Sequence, residues 1–289
     1  MSSEIKMANS LLDDDTLDQI RQLAATGTRI QRCDVAGRKV WLKRHDAEGV
    51  RIAERFHQAI SPLLFPRFWR ASQPVSASGM TLRESRKFAA FTAAGIPVPQ
   101  VVATFDQAIA VTDAGPCAAG VLKALKARGD AEGHDAILVR IAAALGRVHR
   151  AGLCHGRPHV RDIALDGDRV VFFDFEEEPE TQMPLAEAQA RDLWILFFHL
   201  TTQSMTAGTA ARALAAYSAA APAATLVRLR QMIASMRWMV QIGRIIGRIY
   251  LGADLRRFLS STSALLDAFD AADHSPSEPH PLSPKAAAS

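Results

Sequence analysis

Four separated stretches of this 289-residue chain carry side chains able to act on a charged group. Lys43 closes the apolar run Val40-Trp41-Leu42. Glu84 lies in Thr81-Leu82-Arg83-Glu84-Ser85-Arg86-Lys87. His155, Arg157, His159 and Asp162 follow one another in His155-Gly156-Arg157-Pro158-His159-Val160-Arg161-Asp162. Asp174 ends the run Val170-Val171-Phe172-Phe173, and Glu176, Glu177, Glu178 and Glu180 come directly after it. An ammonium attracts anions and carboxylates attract hard cations, so the set suits chemistry on a charged group. Each member also has an ordinary reading. A strand lysine beside Arg44 is a solvated surface charge, Glu84 among Arg83, Arg86 and Lys87 is a helix-face ion pair of little worth, and the acidic run is a solvated loop. Asp174 stands out, because an aspartate ending an apolar strand needs a reason to be there.

The elements that would position these residues follow from periodicity and turn chemistry. Residues 11–25 read as a helix with acids in its first turn, where the helix dipole favours them. Residues 28–46 read as a hairpin, with Ala36-Gly37 at the turn and Lys43 on the second strand. The stretch 60–70, broken by two prolines, reads as a loop or short helix against the core. A helix over 81–94, with Leu82, Phe88, Phe91 and Thr92 near one face, carries Glu84 and stops at Gly95-Ile96-Pro97-Val98-Pro99. Two short strands follow. A long helix over 134–151 shows Ile137, Ile141, Leu145 and Val148 at helical spacing. Asp166-Gly167 marks a hairpin between strands at 163–165 and 170–173. Residues 185–272 are helical, and the proline- and serine-rich end is expected to be disordered. The organisation is a strand-rich lobe over 1–115, a helical lobe with an embedded hairpin over 116–272, a linker near 114–120, and a tail over 273–289.

The order of these features resembles the protein-kinase-like fold, and within it the bacterial lipopolysaccharide-core and Kdo kinases with their small-molecule phosphotransferase relatives. In that branch a strand lysine pairs with a helix glutamate, as Lys43 and Glu84 would here. An Ala-Gly-Ile-Pro-Val-Pro phrase follows the helix, as at 94–99. A His-Gly-Asp catalytic loop precedes a hairpin, as at 155–162, and a strand ends in Asp-Phe, as at Asp174-Phe175. The resemblance covers roughly residues 29–200. It implies a two-lobed α+β fold and ATP-dependent phosphorylation of a hydroxyl on a lipopolysaccharide-core or other saccharide, free or as a glycolipid. ATP and Mg2+ would be the cofactors. Lys43, oriented by Glu84, would contact the α- and β-phosphates; Asp162 and Asp174 would hold magnesium, with Glu176 as a further carboxylate; Asp192 would brace the catalytic loop.

The catalytic loop departs from the family pattern. Arg157 stands where the family has its catalytic aspartate, Asp162 where it has a metal-binding asparagine, and Glu176 where it has glycine. A guanidinium does not act as a base, and losing a base typically costs a factor of roughly 100 to 10,000. His159, Asp162 or Glu176 would have to substitute, or Arg157 would clamp the γ-phosphate with its planar fork. The alternative is a pseudokinase, a binding or scaffold protein that keeps the fold without transfer. No glycine-rich phosphate loop precedes Lys43.

Composition narrows the field. An apolar fraction of 48% with 22% charged residues excludes general disorder. A net charge of +4 is too small to point to nucleic acid. Cys33, Cys117 and Cys154 form no pairing pattern and read as core thiols of a cytoplasmic protein. In the C-terminal part, Arg237, Gln241, Arg244 and Arg248 form one stripe on an otherwise apolar helix, with Gly243 and Gly247 spaced for close helix approach. The stripe reads either as the thin polar edge of a mostly buried helix, or as a contact for an anionic membrane surface, which would make the protein peripheral to an inner membrane.

Overall fold

The computed structural model describes residues 14–26, 28–35, 37–45, 75–248 and 252–274. The proline-broken stretch at 60–70 and the tail from 275 onward lie outside the described residues. Helix α1 (Asp14–Thr26) buries Ile20 against an antiparallel sheet. Strand β1 (Ile30–Val35) turns through Gly37 into β2 (Arg38–Arg44), and β2 pairs on its other side with β4 (Ala108–Thr112), which pairs with β3 (Val101–Thr104). The strand order is β1-β2-β4-β3. Alternation along β2 sends Val40 and Leu42 into a small core with Ile20, Val35, Ala103, Ala108 and Ala110. It sends Lys43 to the opposite face.

Helix α2 (Ala77–Ala93) crosses that face. Ser76 caps it by accepting the Gly79 N–H at 3.1 Å. Its buried side differs from the apolar pattern: Phe88 and Phe91 are buried as expected, but Leu82 is 50% exposed and Thr92 is exposed, while Arg83, Glu84 and Lys87 are buried. The reason is the partner. The helix packs against the loop and acidic segment around Asp174, which offers carboxylates and carbonyls to these charges.

The remainder is mostly helical: α3 (Ala118–Ala127), α4 (Ala131–Arg150), the hairpin β5 (Ile163–Asp166) and β6 (Arg169–Phe172), a 3-10 turn (Pro179–Thr181), α5 (Leu185–Gln203), α6 (Thr209–Ala220), α7 (Ala223–Ser235), α8 (Arg237–Gly247) and α9 (Ala253–His274). The start of α3 at Ala118 shortens the expected linker. On α4, Ile141, Leu145 and Val148 are fully buried and Ile137 partly so, in a continuous core with Phe172, Leu193, Phe197 and Tyr217. All three cysteines are free, but only Cys154 is buried; Cys33 on β1 and Cys117 at the start of α3 are half-buried, not core thiols as expected. Among the described residues no helix is long and apolar enough to cross a membrane.

Candidate functional site

Lys43 sits where the sheet, α2 and the β5–β6 hairpin meet. Its Nζ lies 3.4 Å from Glu84 Oε1 and 2.9 Å from Glu176 Oε1, and it pairs directly with Asp174 Oδ1. Burial disfavours the ammonium, but Glu84, Asp174 and Glu176 outweigh it and hold Lys43 protonated well above the ordinary lysine range. Burial likewise raises Asp174, and the Lys43 charge and hydrogen bond overcome it, leaving the carboxyl below its ordinary value. Glu84 is 2% exposed and is flanked on its other oxygen by His45 Nε2 at 3.1 Å.

Asp174 is the one non-glycine residue among those described with positive φ, at 67°. Such a conformation costs of order 1 kcal/mol and persists where surroundings over-determine it. Here Phe175 does so. Its ring sits 4.5 Å from Phe91, 5.1 Å from Phe88 and 5.1 Å from His155. Anchoring Phe175 under α2 leaves the preceding carboxylate aimed at Lys43.

The loop at 154–162 is held from beneath by Asp192 on α5, which is fully buried. Its Oδ2 accepts the His155 N–H at 2.7 Å and the Cys154 thiol at 3.2 Å, and its Oδ1 accepts the Gly156 N–H at 3.0 Å. Burial raises Asp192, and the His149 hydrogen bond with the charges of His149, His155 and Lys87 bring it down to about 2. Gly156 has φ 108°, and a Cβ there would lie 2.3 Å from the Glu177 carbonyl oxygen. The bracing role expected of Asp192 thus has a geometry.

Arg157 is 54% exposed in its side chain and leans on the acidic segment, with Nη2 3.5 Å from Glu176 and Nε 3.5 Å from Glu177. Burial weighs against its charge, but Glu177, Glu176, Asp162 and Asp174 more than compensate. Asp162 is pushed up to about 7, first by burial and then by the Asp174 charge. Glu176 is turned toward Arg29, Lys43 and Arg157, and no three His, Cys, Asp or Glu among the described residues are grouped as a metal site. His159 Nδ1 accepts the Arg161 N–H at 2.9 Å, and its ring lies tilted against that of His199, with centroids 3.6 Å apart. Burial, then His199 and three arginines, lower it to about 3, so it is neutral.

Two residues here escaped the sequence reading. Lys87 Nζ donates to the carbonyls of Glu177 at 2.7 Å, Cys154 at 2.9 Å and His155 at 3.1 Å, tying α2 to both loop and acidic segment. Arg191 bonds the Gly156 carbonyl and Glu177 Oε2, the latter at 2.8 Å. The signal available was a charged residue at a helix spacing of three or four from Glu84 and beside Asp192, which does not separate a buried clamp from a surface charge.

The family model described as "Lipopolysaccharide kinase (Kdo/WaaP) family" matches residues 69–217, just over half of the chain. The chain belongs to that family. Among solved structures, one described as WaaP in complex with acyl carrier protein is similar at 16% identity and a TM-score of 0.47, covering 81% of this chain and 93% of that one. No curated protein matches the sequence.

Proposed function

We propose that the protein is an ATP-dependent kinase that phosphorylates a hydroxyl of a lipopolysaccharide-core or related saccharide. The observation that carries this reading is the bridge made by Lys43 between Glu84 of α2 and Asp174 after β6, which joins residues 41 and 131 positions away. Phosphoryl transfer rests on positioning and charge more than on covalent chemistry. Lys43, held upright by Glu84, would take the α- and β-phosphates. Asp162 and Asp174 offer the hard oxygens magnesium requires. Magnesium, when bound, neutralises charge across the phosphates. Anchoring of Asp174 by Phe175, and of the loop by Asp192, would fix the distance between donor and acceptor. ATP and a lipid-linked saccharide meet at the cytoplasmic face of an inner membrane, the compartment this reading implies.

Arg157 favours a second reading. Its ion pairs with Glu176 and Glu177 put a permanent cation where the family places its base, and a pseudokinase that binds without transferring would tolerate this. Thermal unfolding with and without Mg-ATP separates nucleotide binding from its absence: a ligand at 100 times its Kd adds about 2.7 kcal/mol, and Lys43→Ala should lose that gain. Transfer of labelled phosphate to core oligosaccharide then separates kinase from pseudokinase. Transfer abolished by Asp174→Ala supports the first reading. Nucleotide binding without transfer, with transfer gained in Arg157→Asp, supports the second.

A further inference from the structure

Helix α8 turns large apolar side chains to solvent. Trp238 is 61% exposed, Ile242 48%, Ile245 61% and Ile246 51%. Residues 238, 242 and 245 share one sector of the helix, and 246 extends it. The helix is held by a different side. Val240 and Gly243 are buried, and a Cβ at Gly243 would lie 3.0 Å from Leu259 and 3.2 Å from Leu255 of α9. This overturns the reading of α8 as mostly buried with only a thin polar edge. Glycine lets the backbone close on α9, and the wide apolar sector is left over.

Between the packed side and the apolar sector run Arg237, Arg244 and Arg248, all exposed. Arg237 forks onto Asp270 at 3.0 Å and Arg244 donates to Ser263 at 3.1 Å, so the stripe is rooted on α9. Arg248 makes no ion pair with a described residue. No acid occurs in α8.

We propose that α8 docks the protein on an anionic lipid surface, with Trp238, Ile242, Ile245 and Ile246 entering the headgroup boundary and Arg244 and Arg248 meeting lipid phosphates. Contiguous apolar patches on a monomer mark interaction sites. An amphipathic helix lying in the interface plane needs an apolar sector for burial and cations beside it for headgroups, and indole suits the boundary between the two. Charge decides against a second copy as occupant, since a two-fold pairing through this face sets the arginine stripes against each other. Docking stands independently of phosphoryl transfer.

The test is cosedimentation of the full chain with vesicles of phosphatidylcholine alone or mixed with phosphatidylglycerol, at low and high salt. The expected result is partition onto the mixed vesicles, weakened by salt. Combined Trp238→Ser, Ile242→Ser and Ile245→Ser should lower the partition coefficient roughly tenfold or more, and Arg244→Glu with Arg248→Glu severalfold. These side chains are exposed, so unchanged thermal unfolding of the variants certifies their folding. Absence of binding to mixed vesicles, or binding that the serine variant retains, overturns the proposal. So does a dimer that the serine variant dissociates, or an acidic protein carrier captured through this face by a chain that ignores vesicles.

Discussion

Gly156 shows how much a single missing side chain does in this site. The loop passes so close to the acidic segment that a methyl group would be 2.3 Å from the Glu177 carbonyl oxygen, and the backbone stands at φ 108°. Gly152 has φ 76° with open space around its Cβ position. The pair makes a controlled comparison. Gly152→Ala should cost about 1 kcal/mol, the left-handed conformation alone. Gly156→Ala should cost roughly 2–4 kcal/mol, because strain and collision combine. Urea unfolding midpoints of the two variants measure the difference, and equal midpoints would mean that the loop yields easily. Arg157, next along, is spared such crowding; its constraint is charge, supplied by Glu176 and Glu177.

At the scale of elements, α2 is joined to the acidic segment by a row of charges: Arg83 to Glu178 at 3.0 Å, Arg86 to the same carboxylate at 3.2 Å, and Lys87 to Glu180 at 3.1 Å. Lys87 is the member that reaches deepest, satisfying three carbonyls at once. Lys87→Met keeps the length and removes the donor, leaving those carbonyls buried without a partner, and should destabilise by roughly 2–4 kcal/mol while lowering any transfer activity. Denaturant unfolding checks the first, and a stable Lys87→Met protein would place the joint elsewhere. This row also marks how far the sequence could be read. The hairpins were legible because alternation and the Asp166-Gly167 turn are local signals, and β2 carried Lys43 as its pattern required. Lys43, Glu84, Asp174 and Asp192 were legible as an ordered set because their spacing follows a known family. The buried side of α2 was not legible: hydrophobic periodicity points to Leu82, whereas long-range carboxylates draw in Arg83 and Lys87 instead. The exposed sector of α8 was hidden for the converse reason, since an apolar helix reads as buried until its packing partner proves to need only Val240 and Gly243.

For the molecule as a whole, titration and core size set how stability is distributed. His155 is lowered to about 4 by burial, His199 to about 4 by burial and then Arg257 and Arg161, and His159 to about 3 by burial and then its neighbours' charges. The unfolded chain takes up these protons near pH 6.5, before the folded one does, so stability falls as the pH drops from about 6.5 toward 4. Asp162, raised to about 7, opposes this by accepting its proton first in the folded state. Asp162→Asn deletes the opposition and should steepen the acid loss, read as melting temperature against pH; an unchanged slope would mean that the folded Asp162 is ionised at neutral pH. Core size adds a spatial gradient. The sheet's own cluster counts three alanines, Ala103, Ala108 and Ala110, against four larger residues, while the helical core is continuous from α4 to α9 and rich in leucine and phenylalanine. Buried apolar area scales with stabilisation, so the β1–β2 hairpin and α1 should open well below the free energy of global unfolding. Amide hydrogen exchange should therefore be fast along β1 and slow in α4 and α5. Mg-ATP, by adding a ligand across Lys43 and Asp174, should slow exchange in β2 and leave α6 unchanged. Uniform slowing of both would mean that the sheet and the helices unfold as one cooperative unit.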